Sequence, residues 1–387
     1  MKKLNILLVC DAIIQQTGGS FISTLRFAEL LHKKGHKVII LAAKYPKTKK
    51  IEYYNGIKVY RASPAFCVPK FEKRIAFAIP SSRTIKKIIK KEDINVVHVT
   101  LPTPLTLAAI KAAKSLSIKV VTHSHAQPEN VFLHAPKFLQ IKFINDLFYK
   151  YLIWIYKKGD IILCPSKFAE SLIKRYDSNL KTKVISNGVD LTKFKKINFL
   201  KFIEKYKLSK KDKRIIFVGR LHPEKSVETL IKSVPYIIEK YNNFHVDIVG
   251  GGYMYDELKN LIKELKVEKY VTLFGRVSDE DLIMALNASD IFVLPSMAEL
   301  EGMVVLEAMA CGKPIVIANS PESASRFFVE DNGFLFKPKD YKDLADKLLK
   351  LLLDEKLLKK MSDASLRIIK KYDINKSVCD LEKIYSS

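Results

Sequence analysis

The sequence predicts an α/β protein made of two doubly wound domains, each a parallel sheet covered by helices on both faces. Three observations carry that expectation. At 387 residues the chain exceeds one ordinary domain. Short apolar runs suited to buried strands alternate with segments of helical spacing. The same alternation then starts again after a Lys-rich, weakly periodic stretch, Val189 to Lys213, that follows the turn Asn187-Gly188.

In the first half, Asn5–Cys10 reads as a strand, Phe21–Lys34 as a helix, and Lys37–Ala42 as a second strand, with Gly35 between the last two in the place of a helix C-cap. Val96–Val99, Lys119–Thr122 and Ile161–Cys164 are further apolar runs of strand length. The second half repeats the pattern with strands at Arg214–Val218, His245–Val249, Tyr270–Phe274, Ile291–Leu294 and Pro314–Ile317. Helices at Ser226–Lys240, Asp256–Leu265 and Asp340–Leu353 separate several of them. The expected domains are 1–190 and 191–365, with a last helix over about 366–387 packing back on the first.

Composition excludes several classes. Hydrophobic residues make up 48% and charged residues 28%, a globular balance. No stretch offers the roughly 18 apolar residues of a membrane span. The apolar run Leu4 to Cys10 ends at Asp11 without a cleavage pattern, so it reads as a first strand and not a signal peptide. Five scattered cysteines with no CxxC pair favour reduced thiols over disulfides or zinc, and a cytoplasmic location. The charge is uneven. Residues 1–190 hold 33 Lys+Arg against 12 Asp+Glu, a net of +21, whereas residues 191–387 hold 34 against 29, a net of +5. An anionic membrane, nucleic acid or a phosphorylated ligand would be drawn to the first half.

The most informative segment is Asp290 to Pro314. Its strand ends at Pro295-Ser296, and a helix runs from near Gly302 through Ala310. Open α/β sheets bind ligands at the carboxyl ends of strands, and a helix N-terminus offers unpaired N–H groups to an anion. Gly302 would let a diphosphate approach the backbone of Met303 and Val304 closely. Glu299 and Glu307 would be repelled by phosphates, so they are expected to face hydroxyls such as a ribose diol or a hexose. Arg220 and Lys225 follow a strand ending at Gly219, where together they could balance charge on a departing nucleoside diphosphate.

Glu299 and Glu307, spaced Glu-x7-Glu and followed by Ala308-Met309-Ala310-Cys311-Gly312-Lys313-Pro314, resemble the signature of the retaining GT-B-fold glycosyltransferases of family 4 (group 1). Further motifs fall in that family's order: Ile185-Ser186-Asn187-Gly188-Val189-Asp190, Phe217-Val218-Gly219-Arg220-Leu221 with Lys225, Val249-Gly250-Gly251-Gly252, Leu273-Phe274-Gly275-Arg276-Val277 and Leu294-Pro295-Ser296. The resemblance covers most of the chain. It implies two Rossmann-like domains facing across a cleft and a nucleoside-diphosphate-sugar donor. It also implies that Arg220 and Lys225 act in place of a metal, with no cofactor and with the leaving phosphate taking the acceptor's proton. By the same resemblance Gly19 and Val277 join the donor site, and a histidine stands near the sugar's reacting carbon. His125 is favoured for that place by the following Gln127-Pro128-Glu129-Asn130, with His123 as the alternative. Two departures stand out. Glu301 occupies a position often aromatic, so it is expected to point away or to bind a sugar hydroxyl, and Ser226 replaces a glycine after Lys225.

Phe138 to Lys158 is rich in aromatics, contains the single tryptophan, Trp154, and is edged with lysines. Lys70, Lys73 and Arg74 add a basic face, as do Lys86, Lys87 and Lys90. These suit docking on the cytoplasmic face of an anionic membrane, with a lipid as acceptor. A soluble glycan or metabolite acceptor, and a sugar-nucleotide epimerase of the same fold, are the alternatives. A nicotinamide dehydrogenase lacks its GxGxxG here, and nucleic acid would explain the charge but not the glutamate pair.

Overall fold

A computed structural model describes residues 3–11, 18–68, 75–129 and 142–387. It divides into two compact units. The first holds the described residues up to Pro128, those from 142 to Asn187, and Asn375–Ser387; the second holds Gly188–Ile374.

The first unit runs β1 (Asn5–Val9), α1 (Gly19–Lys33), β2 (Lys37–Ala43), β3 (Ile51–Tyr54), β4 (Ile57–Ala62), β5 (Ala65–Val68), β6 (Ile75–Ala78) and α2 (Ser82–Lys91). It continues with β7 (Val96–Val99), α3 (Pro104–Lys114), β8 (Lys119–His123), α4 (Lys142–Tyr156), β9 (Ile161–Cys164), α5 (Lys167–Lys174) and β10 (Thr182–Val184). Eight strands form one sheet in the order β10-β9-β8-β7-β1-β2-β4-β3. Every pairing is parallel except β3 with β4, a hairpin turning at Asn55-Gly56. Such strands are covered on both faces, which is why Ile6 to Val9 and Ile40 to Ala43 have no exposed surface and read as unbroken apolar runs. Helix starts are fixed locally: the Thr103 hydroxyl caps α3 ahead of Pro104, and Ser81 and Ser166 cap α2 and α5.

The second unit runs α6 (Leu200–Lys205), β11 (Lys213–Val218), α7 (Val227–Ile238), β12 (Phe244–Val249), α8 (Tyr255–Glu264), β13 (Val271–Gly275), α9 (Asp279–Ala288) and β14 (Ile291–Leu294). Then come α10 (Met303–Ala310), β15 (Ile315–Ala318), β16 (Gly333–Phe336), α11 (Tyr341–Leu353) and α12 (Glu355–Ile368). Its six strands are all parallel, in the order β13-β12-β11-β14-β15-β16. Strand order therefore reverses between β11 and β14, as it does in the first sheet between β1 and β7. Those are the switch points where doubly wound sheets open a crevice.

Two boundaries differ from the sequence expectation. The Lys-rich stretch after Val189 is no simple linker: Phe194, Phe202 and Ile203 are buried in the second unit's core, and Phe202 sits on α6. Burying Phe202 contributes about 1.5–3 kcal/mol, and with Ile203 and Phe194 it ties down a six-residue helix too short to register as periodic. At the other end, Ile368 and Ile369 also belong to that core. The chain thus rejoins the first unit at Asn375, not near 366, on the last helix, α13 (Ile374–Ser386).

Candidate functional site

In the second unit the loops after β11, β12, β13 and β14 gather at the carboxyl ends of the strands. The loops after β11 and β14 flank the switch point and interlock: Met297 N–H and the Ser296 hydroxyl donate to the Glu224 carbonyl at 2.7 and 3.2 Å. The loop after β12 lies directly on the loop after β11. A Cβ on Gly250, whose φ is +142°, would stand 1.8 Å from the Gly219 carbonyl oxygen, so only glycine fits. The glycine triplet is thus a backbone-to-backbone contact, and Gly250 N–H also donates to Gly275 O at 2.8 Å. Val277, half-buried, stands just before the Ser278 cap of α9.

Arg220 and Lys225 are on this rim, and each holds a carboxylate. Arg220 donates through Nη2 to Glu224 at 3.2 Å; its side chain is 43% exposed, whereas that of Glu224 is fully buried. Lys225 Nζ forms an ion pair with Glu299, both side chains nearly covered. The structure therefore brings Glu299 to the expected place but ties it to Lys225, which sequence spacing did not indicate. Glu224 was missed altogether: a Glu beside a Lys on a short turn reads as a surface pair, and only the interlocked loops bury it. Lys225 closes a one-turn 3-10 segment, Pro223–Lys225, after which Ser226 takes the left-handed φ of 49° usually left to glycine. Its hydroxyl is held at 2.9 Å from Thr229 Oγ1.

Gly302 has φ +95°, and a Cβ there would meet the Ser325 hydroxyl at 2.2 Å. This glycine is needed to turn the chain into α10, whatever approaches from outside. No side chain caps α10 and its first turn has no acid, so it presents a helix N-terminus at Met303 and Val304, both half-buried. Glu307 lies one turn on and is buried. Glu301 does not point outward: it is 3% exposed, and its charge raises the Tyr372 phenol after burial and Glu330. Beside the rim, the exposed Tyr253 ring packs on His222 at 4.8 Å, and burial together with Glu224 pushes its phenol up to about 12. The sequence holds one Asp-x-Asp triplet, Asp279-Glu280-Asp281, on the first turn of α9. Asp281 is engaged there by Lys205 at 2.6 Å and the Tyr206 hydroxyl at 3.1 Å.

In the first unit, His123 ends β8 with no exposed surface, and His125 follows half-buried in the next loop. Their rings are 3.9 Å apart, and His98 of β7 lies 5.4 Å from His123 on its other side. Burial pushes His98 and His125 down to about 3, and His123 well below its ordinary value, so all three are neutral near pH 7. Asp11, at the end of β1, spans the switch point: it accepts from Ala78 N–H at 2.9 Å and from the Thr103 hydroxyl at 2.5 Å. Burial raises its carboxyl to about 6 against these two hydrogen bonds. Gly19 is the first residue of α1.

Of the basic and aromatic residues, Lys70, Lys73 and Arg74 lie outside the described residues. Lys87 and Lys90 are exposed and Lys86 half-buried on α2, whose Ile85 and Ile89 face the core. On α4, Tyr149, Leu152, Ile153, Ile155 and Tyr156 are buried. Phe143, Leu147, Tyr151 and Trp154 instead form an exposed stripe, 73%, 58%, 39% and 46% accessible. Their spacing of four, four and three puts them on one side of the helix. Lys158 lies over the Trp154 ring at 4.3 Å. No helix among the described residues is long and apolar enough to cross a membrane.

Comparison with known proteins matches residues 198–367 to the family described as Glycosyl transferases group 1 and residues 17–193 to Glycosyltransferase Family 4. The Escherichia coli UDP-Gal:alpha-D-GlcNAc-diphosphoundecaprenol alpha-1,3-galactosyltransferase is 32% identical over 336 residues, 83% of each chain. The alpha-monoglucosyldiacylglycerol synthase of Streptococcus pneumoniae is 23% identical over 82% of this chain and 72% of its own. Among solved structures, sucrose-phosphate synthase from Thermosynechococcus elongatus superposes with a TM-score of 0.82 at 19% identity, covering 99% and 98% of the two chains. Anabaena HepE in complex with UDP and glucose superposes at 0.78 and 18%, covering 99% of each.

Proposed function

Since the chain belongs to glycosyltransferase family 4, with a group 1 C-terminal half and the GT-B fold, we propose that it transfers a hexose from a nucleoside-diphosphate sugar to a lipid hydroxyl, with retention and without a metal. The observation that carries this reading is the cluster Arg220–Glu224 and Lys225–Glu299 set at the strand ends beside the uncapped start of α10. Each cation is balanced by a carboxylate. A diphosphate entering at Met303 and Val304 competes for Lys225, which frees Glu299 for a sugar hydroxyl. Glu224, fully buried, keeps Arg220 aimed. The C1–O bond to the phosphate then breaks, the acceptor oxygen bonds C1 on the same face, and its proton passes to the leaving phosphate. Arg220, Lys225 and the helix dipole stabilise the charge that builds on the diphosphate, the role a metal would otherwise fill. Glu307 receives the ribose diol, Val277 and Gly19 border the donor, and His125 stands by the sugar.

The lipid acceptor and the docking of the first unit on the cytoplasmic face of an anionic membrane rest on two supports. One is the exposed stripe of α4, in a half of the chain, residues 1–190, whose net charge is +21. The other is the relatives named for diacylglycerol and diphosphoundecaprenol substrates. A thermal-shift panel of UDP-, GDP- and ADP-hexoses tests the donor half: the cognate donor raises Tm by mass action, with or without EDTA. A donor consumed without acceptor to give its epimer would replace transfer by epimerisation.

A further inference from the structure

The first unit holds a column of three imidazoles, of which glycosyl transfer as described uses His125 alone and leaves the buried His98 and His123 unexplained. His98 stacks on His123 at 5.4 Å, His125 packs on the other side of His123 at 3.9 Å with its ring tilted by 40°, and Phe27 lies 6.4 Å from His123. Neither ring nitrogen of His123 has a hydrogen-bond partner, nor does Nε2 of His98 or of His125. Buried polar atoms left so cost free energy unless the arrangement serves something. Among the described residues one hydrogen bond reaches the rings of the column: the Tyr385 hydroxyl lies 2.6 Å from His98 Nδ1. Tyr385 arrives on α13 and is 3% exposed. The helix does not depend on that bond for its place. Glu382 holds it to His36 at 2.9 Å and to Lys34, Lys119 bonds the Ser387 hydroxyl at 2.8 Å, and Val378 and Leu381 are fully buried. Phenylalanine would fill the same space, so what the hydroxyl adds is its bond to His98.

We propose that Tyr385 and His98 are positioning residues for His125, which they orient through His123. The step rests on the reading of His125 as the group beside the reacting sugar. In the proposal the Tyr385 hydroxyl donates to His98 Nδ1, which puts the proton of His98 on Nε2 and fixes that ring's tautomer. His123, with no hydrogen bond of its own, takes its plane from the rings on either side, and it packs directly on His125. The last helix thereby sets an imidazole it does not touch.

The test is Tyr385→Phe, read by long-range 1H–15N correlation of the imidazole nitrogens, feasible with eight histidines in the chain. The expected result is a displacement of the His98, His123 and His125 signals, kcat down about 5- to 20-fold, and UDP affinity unchanged within about twofold. Leu381→Ala loosens the same helix without touching the column, and it should leave the His125 signals in place. A Tyr385→Phe protein in which only His98 moves, or in which Leu381→Ala lowers kcat as much with His125 unmoved, overturns the proposal. The NMR arm needs no turnover. If the wild type transfers no sugar, the functional reading fails while the relay is still judged by the spectra.

Discussion

At the scale of the residue, the donor rim makes two separable claims. Arg220→Ala and Lys225→Ala should each lower kcat/KM by about 10²–10³, the loss expected for a preorganised charge stabiliser, and Tm should fall as well, since each substitution strands a buried carboxylate, Glu224 or Glu299. Steady-state kinetics with the cognate donor measures this, and near-wild-type turnover in the double variant would remove the diphosphate clamp. Glu307→Gln keeps the volume of a buried side chain but loses a charge-assisted acceptor, so donor KM should rise about 10- to 100-fold with kcat nearly unchanged. Glu299→Gln should instead lower kcat and relax the choice of sugar. A third prediction concerns Asp11, whose folded carboxyl titrates at about 6 against 3.8 unfolded. A raised carboxyl adds stability below the unfolded value and loses it as pH climbs through the folded one. Asp11→Asn can keep both hydrogen bonds and drop the titration. Its Tm advantage over wild type should therefore grow between about pH 4 and pH 6 and level off above. A difference flat across that range would contradict the buried charge. Arg220, Lys225, Glu299 and Glu307 could be singled out in the sequence as candidates because they sit in local motifs. Glu224, Asp11 and Tyr385 were not: each owes its role to burial by segments far away in the chain.

At the scale of the element, strands of apolar residues were legible because a buried parallel strand needs nothing but an unbroken apolar run. The hairpin β3–β4 was less so, since Tyr53 is exposed and Ile51 partly so, and neither strand is apolar throughout. Asn55-Gly56 was its one local signal. Helix α6 was hidden by its six-residue length. Helix α4 is the element whose surface exceeds its structural need: its inner face satisfies the core, yet four large apolar side chains remain outside. Phe143→Ser with Leu147→Ser and Trp154→Ser should leave the fold and the donor site intact. Sedimentation with anionic vesicles should then fall by about tenfold or more, given roughly 1.5–3 kcal/mol per buried apolar side chain. Unchanged sedimentation would confine docking to charge alone.

At the scale of the molecule, the charge asymmetry is a statement about where the first unit works. Each Lys or Arg close to an anionic surface contributes about 1 kcal/mol. Reversing Lys70, Lys73, Arg74, Lys86, Lys87 and Lys90 to Glu should therefore abolish vesicle binding while the cognate donor still raises Tm. Wild-type binding should weaken as salt rises, since exposed charges are screened beyond about 8–10 Å. A wild-type protein that stays in solution beside anionic vesicles at low salt would shift the acceptor to a soluble molecule. The two-domain plan was legible from the restart of the strand–helix alternation, but the residues at which the chain leaves and rejoins each unit depended on side chains such as Phe202 and Ile368 finding one core. The central claim is retaining, metal-free transfer, and the anomeric configuration of the product tests it most directly. The cognate donor is incubated with lipid vesicles in excess EDTA, and the glycolipid is read by NMR. The expected product is a glycoside with the donor's own anomeric configuration, with one nucleoside diphosphate released per sugar transferred. An inverted linkage, or turnover that appears only when Mg²⁺ or Mn²⁺ is restored, would contradict it.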